Sequence, residues 1–207
     1  MHLLINTFKK ITSFTPKRFQ EGLKRHYFRF LIAKDKFTTP EPEFSRLGEF
    51  ITKGDWVIDI GANIGQYTIK MSKLVGEKGR VIAFEPVPET FSHLARNVTY
   101  CEDKNVTLIN AAVSNDTSLV GMSIPYLETG LQNFYMAAVS NIPEDSDVSV
   151  LTFSIDSLTF QNPIALIKID AEGHEPIIFK GIEKLVTRDK PVLIVETVDD
   201  NIRQLLS

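Results

Sequence analysis

The sequence has a single cysteine, Cys101, and no long apolar run. One cysteine excludes an intramolecular disulfide and is typical of a reducing compartment. No run approaches the roughly 20 apolar residues that a membrane-spanning helix needs. The N-terminus also lacks the apolar core and small-residue cleavage site of a secretory signal peptide. We therefore expect a cytoplasmic protein.

Charge is distributed unevenly along the 207 residues. Residues 1–36 contain nine Lys or Arg and two acidic residues, a balance of +7, whereas residues 37–207 contain fourteen and twenty-four, a balance of −10. Phosphate contacts need a basic surface, so the acidic remainder argues against nucleic acid as a partner. The length suits one globular domain, here 37–207, with a small N-terminal appendage at 1–36.

The basic segment 1–36 has the pattern of an amphipathic helix. Its apolar stripe consists of Phe19, Leu23, Tyr27, Phe30 and Leu31, and Arg18, Arg25 and Arg29 lie largely on the opposite side. This pattern favours a helix that docks its apolar side on the domain and leaves the basic side in solvent. Contact of the basic side with an anionic membrane surface or an acidic partner is the alternative.

Hydrophobic periodicity predicts alternating strands and helices over residues 37–207. The strands are expected at Val57–Ile60, Val81–Phe84, Val106–Asn110, Ala165–Ile169 and Val192–Val195. A single helix is expected after the fourth strand, with Ile178, Ile182 and Leu185 on one side. This alternation predicts an α/β fold with a mostly parallel, Rossmann-like sheet and right-handed crossovers.

Residues 114–163, between the third and fourth predicted strands, have little helical periodicity. The segments with an extended pattern are Leu119–Tyr126, Asn133–Val139 and Val148–Ile155. We expect a β-rich insertion of two or three antiparallel strands, folded over the carboxyl edge of the sheet where ligands of open α/β sheets bind. A substrate cap is the favoured interpretation, and an inert extension of a loop is the alternative.

The most informative motif is Val57-Ile-Asp-Ile-Gly-Ala-Asn-Ile-Gly65, which joins the first strand to a helix. Glycine lets the backbone approach a ligand closely, and the first turn of the helix offers unpaired N–H groups. Asp59 ends the strand beside this loop. Its carboxylate disfavours a pyrophosphate but suits a ligand that carries an ammonium and a sulfonium, which points to S-adenosyl-L-methionine.

A second carboxylate, Glu85, follows the second predicted strand, twenty residues after Gly65. A carboxylate at this place holds the ribose hydroxyls of an adenosine cofactor. Nicotinamide dehydrogenases share this arrangement, but their loop is G-x-G-x-x-G. The loop here lacks the third glycine position and contains Asn63, so S-adenosyl-L-methionine is the favoured cofactor.

The motif Ile167-Lys-Ile-Asp-Ala-Glu-Gly-His-Glu175 begins within the fourth predicted strand. A lysine inside an apolar strand is costly unless it is paired, so Lys168 is expected in an internal ion-pair cluster with Asp59, Asp170 and Glu196.

Two carboxylates of this motif, Asp170 and Glu172, leave the strand at the carboxyl edge of the sheet. Clustered carboxylates raise one another's proton affinity, which suits a general base. His174 is a second candidate for that base, and it is equally suited to cap the following helix.

Together these motifs resemble those of the FkbM-type methyltransferases, which have the class I S-adenosylmethionine-dependent fold. The resemblance spans most of residues 54–200, and its further motifs are Phe84-Glu-Pro86, Asn110-Ala-Ala-Val-Ser114, Ser154-Ile-Asp-Ser-Leu158, Lys180-Gly181 and Val195-Glu196. It implies O-methylation of a sugar or another small molecule. It also implies cofactor contacts from Asp59, Gly61, Ala62, Asn63, Gly65, Glu85, Pro86, Ala111 and Asp170.

The resemblance further implies that Asp170, Glu172 and His174 line the methyl-transfer site. The mechanism we expect is direct in-line displacement, with Asp170 or His174 as the base and Glu172 orienting the substrate. The sequence offers no complete set of metal ligands, so no metal is expected.

The C-terminal end departs from the class I pattern, which has an antiparallel pair of strands after strand five. Only Thr197–Ser207 follow here, enough for a helical turn at Asn201–Leu206, so we expect this pair to be missing. Val192–Val195 would then form an exposed edge. The alternative function is a catalytically silent cofactor-binding or scaffolding relative that pairs through this edge, for example as a homodimer.

Overall fold

The computed structural model describes residues 17–125, 137–140 and 146–196. The chain divides into two compact units, Met1–Thr38 and Thr39–Ser207. The described part of the first unit contains helix α1, Lys17–Ala33. The rings of Phe28 and Phe37 meet edge to face there, with their centroids 5.5 Å apart. The predicted N-terminal helix is therefore present, and its docking side and any membrane contact stay predictions.

The second unit alternates strands and helices in the predicted order. Its elements are α2 Pro42–Phe50, β1 Trp56–Ile60, α3 Gln66–Val75, β2 Arg80–Phe84, α4 Pro88–Val98, β3 Val106–Ile109, β4 Ala112–Val113, β5 Leu119–Ser123, β6 Ala138–Ser140, β7 Val148–Phe153, a 3-10 turn Ile155–Ser157, β8 Ile164–Ile169, α5 Glu175–Gly181, α6 Glu183–Asp189 and β9 Val192–Val195. A proline occupies the first turn of α2, α4 and α5, where its missing N–H has no partner to lose.

The main sheet has the strand order β3-β2-β1-β8-β9, and each neighbouring pair is parallel. This confirms the predicted parallel α/β sheet. The chain moves outward in one direction from β1 to β3 and in the other from β8 to β9. Parallel sheets bind ligands beyond the carboxyl ends of the strands at such a reversal, so β1 and β8 mark the expected position of a site.

Apolar side chains cover both faces of this sheet. Successive residues of a strand point to opposite faces, so Ile58 and Ile167 pack toward α5 and α6. Val57 and Leu166 pack toward α2 and α3 on the other face. Burial on both faces explains why the strands read as continuous apolar runs rather than alternating ones. Asp59 and Lys168 interrupt these runs on the α3 face.

Residues of the insertion form a second sheet with the order β4-β7-β5-β6. Strand β5 pairs antiparallel with β6 and β7, whereas β4 pairs parallel with β7. The two-residue strand β4 was not predicted, because it is very short and its partner among the described strands, β7, is remote in sequence. The predicted segments that include residues 126 and 133–136 extend outside the described residues.

The single helix expected after the fourth strand is instead two, α5 and α6. Gly181 packs against the chain at Ser114, where a Cβ would lie 2.0 Å from a carbonyl oxygen. The carboxylate of Asp156 then accepts hydrogen bonds from the N–H groups of Lys184 and Leu185, at 2.9 Å each, and so caps α6 as a new helix. Both contacts come from the insertion, so helical periodicity alone does not reveal the break.

Strand β9 is an outer strand of the main sheet as described, and Val192 is 37% exposed. The predicted turn at Asn201–Leu206 and the question of further strands fall outside the described residues. Over the described ranges, no helix is long and apolar enough to cross a membrane.

Candidate active site

The glycine loop connects β1 to α3 through backbone conformations that favour glycine. Gly61, Asn63 and Gly65 have φ angles of +71°, +50° and +97°. The N–H groups of Gly61 and Ala62 donate to the carbonyl oxygen of Phe84, at 3.0 and 2.9 Å. These two hydrogen bonds fasten the loop to the end of β2.

Gly61 also contacts the segment that follows β8. A Cβ at this position would lie 1.8 Å from the carbonyl oxygen of Asp170, so only glycine fits. This close approach brings the glycine loop and the end of β8 together, although they are more than 100 residues apart in sequence.

Replacing Gly61 by alanine is expected to lower the free energy of unfolding by about 3 kcal/mol or more, because the new methyl group meets rigid backbone. Gly54→Ala is the matched control, since Gly54 has a φ of +98° and no atom within 4 Å of its Cβ position. The control should lose only about 1 kcal/mol, the cost of left-handed strain. Equal losses in chemical denaturation would contradict the close-contact account.

Glu85 fixes the loop from the end of β2. Its Oε2 accepts a hydrogen bond from the N–H of Asn63 and its Oε1 one from the N–H of Val87, both at 2.9 Å. Burial raises the pKa of this carboxyl to about 7, although the two N–H groups and Lys168 oppose the rise. Each oxygen has a second lone pair that can accept a ligand hydroxyl.

Lys168 occupies the centre of a buried charge cluster with Asp170 and Asp59, as predicted, whereas Glu196, the third expected partner, is exposed and lies outside the cluster. Its Nζ lies 2.9 Å from Asp170 Oδ2, 3.2 Å from the carbonyl oxygen of Gly61 and 4.0 Å from Asp59 Oδ1. It also lies 5.0 Å from the centre of the Tyr67 ring, a cation–π distance. This one ammonium group therefore connects the glycine loop to the end of β8.

Asp59 lies beneath the loop. It is fully buried, and its Oδ2 accepts a hydrogen bond of 2.5 Å from Thr68. Burial raises its pKa, while Lys168 and Thr68 oppose the rise. Its Oδ1 has no hydrogen-bond partner among the described residues. The carboxylate thus attracts the ammonium group of Lys168, which lies 4.0 Å from Oδ1.

The turn after β8 presents Asp170, Glu172 and His174. Glu172 and Gly173 have φ angles of +47° and +92°. Buried Glu175 stabilises this turn because its Oε1 accepts hydrogen bonds from the N–H groups of Ala171 (3.2 Å) and Gly173 (3.1 Å). This internal cap explains why the tight turn needs Glu175 directly after His174.

The titrating groups of this turn influence one another. Burial raises the pKa of Glu172, and the neighbouring Asp170 raises it further. Burial lowers the pKa of His174, with partial compensation from Glu175. His174 Nε2 lies 3.1 Å from Ser114 Oγ. His174 occupies the N-cap position of α5, where its side chain makes no capping hydrogen bond.

One cleft at the carboxyl edge of the sheet collects most of the predicted residues. Those lining it are Gly61, Asn63, Glu85, Pro86, Ala111, Asp170, Glu172 and His174. Asp59, Ala62 and Gly65 are not among the described lining residues, so their direct contact with a cofactor stays a prediction. Gly65 instead packs against Leu94, where a Cβ would lie 2.7 Å from the leucine Cδ1.

Sequence analysis missed the apolar part of the cleft. Val87, Met122 and Val139 line it, and two of them belong to the insertion. In a sequence, an apolar residue of a short strand that contacts a ligand cannot be told from one that packs in the core. Within the described ranges, no three His, Cys, Asp or Glu side chains are arranged to hold a metal ion.

The cleft suits an adenosine cofactor with a charged amino acid arm. Glu85 offers a carboxylate that could accept hydrogen bonds from ribose hydroxyls, and the loop at Gly61 and Asn63 lies beside it. S-Adenosylmethionine is such a molecule, and Glu85, Gly61 and Asn63 are the residues that could hold it, while contact of Asp170 with it stays a prediction.

Comparisons with known proteins agree with this fit. The sequence profile described as the methyltransferase FkbM domain matches residues 59–206. A methyltransferase FkbM from Methylobacillus flagellatus KT is similar in structure, with a TM-score of 0.50, 19% identity and coverage of 75% of this chain. This chain spans only 39% of that protein's length. No curated protein matches the chain.

Two further solved structures have lower TM-scores. An O-methyltransferase from Thermotoga maritima has a TM-score of 0.47 and 14% identity, covering 86% of this chain and 52% of its own. A precorrin-6y C5,15-methyltransferase from Geobacter metallireducens GS-15 has a TM-score of 0.47 and 16% identity, covering 81% and 70%. These similarities carry no argument about activity. The profile match extends over more than half of the sequence, and the chain therefore belongs to the FkbM methyltransferase family, whose cofactor is S-adenosylmethionine.

Proposed function

We propose that the protein transfers a methyl group from S-adenosylmethionine to a hydroxyl oxygen of a small molecule or sugar. One observation carries this proposal. The carboxylates of Asp170 and Glu172 and the imidazole of His174 line the same cleft as the glycine loop and Glu85. Proton acceptors thus stand beside the cofactor cradle, and a hydroxyl must lose its proton when it gains a methyl group.

The bound cofactor would supply an already activated methyl group, so the protein's own work is positioning and proton removal. Glu85 would hold the ribose, and the loop at Gly61 and Asn63 would hold the amino acid arm. Lys168 contacts Oδ2 of Asp170, and we assign Oδ1 to the acceptor hydroxyl. Asp170 is then the base, and the nearby Glu172 orients the acceptor.

His174 remains the second candidate for the base. Burial lowers its pKa, so its imidazole is neutral near pH 7 and can accept a proton. Its contact with Ser114 at 3.1 Å also fits an acceptor-orienting role, because Ser114 and His174 can exchange donor and acceptor roles.

The test uses the full chain, S-adenosylmethionine labelled in its methyl group, and a small-molecule extract as the source of acceptors. We expect label in a product whose NMR spectrum shows a methyl ether. A methyl group on nitrogen, carbon or sulfur would overturn the hydroxyl assignment. Binding of the cofactor without any turnover would favour the silent relative.

The pKa of Glu85 predicts how cofactor affinity depends on pH. The ionised carboxylate accepts hydroxyl hydrogen bonds better than the protonated form, and its raised pKa of about 7 leaves it largely protonated under acidic conditions. Affinity for S-adenosylhomocysteine should therefore rise about tenfold between about pH 6 and about pH 8.

Calorimetric titration of Glu85→Gln provides the contrast. This variant should bind more weakly at the higher pH and should lose the pH dependence, because the amide does not titrate. Glu89→Gln, an exposed change at the start of α4, should behave as the unmodified protein does. A pH dependence that survives in Glu85→Gln would show that another group controls binding.

A further inference from the structure

The insertion contributes a wall to the cleft that holds Glu85. Met122 of β5 and Val139 of β6 both line this cleft. They are direct partners in the antiparallel ladder, so their side chains lie on the same face of the small sheet. Met122 is 4% exposed, which means that its thioether is held in place by its surroundings.

This wall is packed against the ends of β2 and β3. Val87, Ala112, Met122, Ile124 and Val150 form one apolar cluster. Val87 is two residues beyond Glu85, and Ala112 begins the short strand that follows β3. Met122 and its neighbours in the insertion thus pack on the side of the site formed by the ends of β2 and β3, whereas Ser114 and Asp156 contact the helices that follow β8.

The strand order fixes which part of the cofactor meets this wall. The order of strands across the main sheet is β3-β2-β1-β8-β9. Glu85 follows β2, the glycine loop follows β1, and Asp170 and Glu172 follow β8, so these groups lie in that order along the edge of the sheet. In S-adenosylmethionine, the ribose lies between the adenine base and the sulfonium. With the ribose at Glu85 and the methyl group toward Asp170, the base must extend toward β3.

We propose that Met122 and Val139 form a wall of the adenine subsite, so that the insertion acts on the cofactor rather than as a cap over the acceptor. The inference rests on the cofactor placement of the proposed function. An apolar lining suits an aromatic base, and the methionine thioether makes favourable contacts with aromatic rings. The sequence motifs predict no role for Met122 or Val139.

The test measures binding of two probes by calorimetry to the full chain. S-Adenosylhomocysteine is the complete cofactor without its methyl group. Methylthioadenosine contains the base and the ribose but lacks the amino acid arm. Val139→Trp fills the slot and should weaken both probes at least tenfold. Met122→Ala should raise the Kd of each probe about fivefold. Met122→Leu conserves the side-chain volume, so the Kd of each probe should stay within about threefold of the unmodified protein.

Val150→Ala is the matched control. Val150 belongs to the same apolar cluster but is not among the described residues that line the cleft. It should lower the melting temperature as Met122→Ala does and leave both binding constants unchanged. Val139 is half-buried, so the tryptophan variant tests the subsite even if Met122→Ala fails to fold.

Three results would overturn the inference. Unchanged binding of both probes to folded Val139→Trp would show that the wall does not meet the base. Weaker binding of S-adenosylhomocysteine with unchanged binding of methylthioadenosine would show that the wall does not act on the base. Absence of binding to the unmodified protein would remove the cofactor placement too, whereas binding without turnover would refute only the methyl transfer.

Discussion

Replacing Lys168 by methionine is expected to lower the free energy of unfolding by about 3–5 kcal/mol, because the change leaves buried Asp59 without its cation. The lysine is 4% exposed and contacts Asp170, Gly61 and the Tyr67 ring. Loss of the Gly61 contact should also loosen the glycine loop, so S-adenosylhomocysteine should bind at least ~10-fold more weakly.

Lys78→Met is the control for removing a lysine, since Lys78 is exposed in the turn before β2. It should change stability by less than about 0.5 kcal/mol. The double variant Lys168→Met with Asp59→Asn should recover part of the lost stability, because no unpaired buried charge remains. Chemical denaturation measures the loss of unfolding free energy in each variant. If the loss in the double variant equals the sum of the losses in Lys168→Met and Asp59→Asn, the two residues are not coupled.

Replacing Asp170 by asparagine is expected to reduce kcat by about 10²–10⁴-fold, because the amide cannot accept the hydroxyl proton. The Kd for S-adenosylhomocysteine should stay within about threefold, since the amide oxygen can still accept a hydrogen bond from Lys168. A combined loss of kcat and binding would instead mean that Asp170 serves mainly to hold the loop.

His174→Gln is the comparison that decides which group is the base. Glutamine keeps a polar side chain near Ser114 but has no proton-accepting nitrogen, so we expect only about a tenfold loss of kcat. If Asp170→Asn is nearly active and His174→Gln is inactive, the base is His174. Single-turnover measurements at saturating cofactor separate this chemistry from binding.

The sequence predicted the features that depend on local pattern. The five strands of the main sheet follow from continuous apolar runs, and the glycine loop follows from Gly61 and Gly65 directly after a strand. The Lys168 cluster was also predictable, because a lysine among apolar residues needs partners and Asp170 is two residues away on the same face.

Features that arise from contacts between remote segments could not be predicted in this way. The break between α5 and α6 depends on the Gly181 contact with Ser114 and on the Asp156 cap. The lining role of Met122 depends on how the insertion folds back over β2 and β3. The hydrogen bond between Asp59 and Thr68 of α3 also depends on how the helix packs on the strand. Tertiary packing decides each of these outcomes.

The family assignment leaves the acceptor to be identified, and the cleft offers a physical guide to it. Two carboxylic acid side chains, those of Asp170 and Glu172, line the end of the cleft that the proposed function gives to the acceptor. Acidic side chains repel anionic groups, so under the proposed function we expect neutral hydroxylated molecules to be better acceptors than phosphorylated ones.

The most direct test of this account is a crystal structure of the full chain with S-adenosylhomocysteine. The account predicts that the ribose hydroxyls contact Glu85, that the sulfur faces Asp170 and that the base lies against Met122 and Val139. A ligand whose ribose lies away from Glu85, or whose sulfur faces β3 instead of β8, would contradict it.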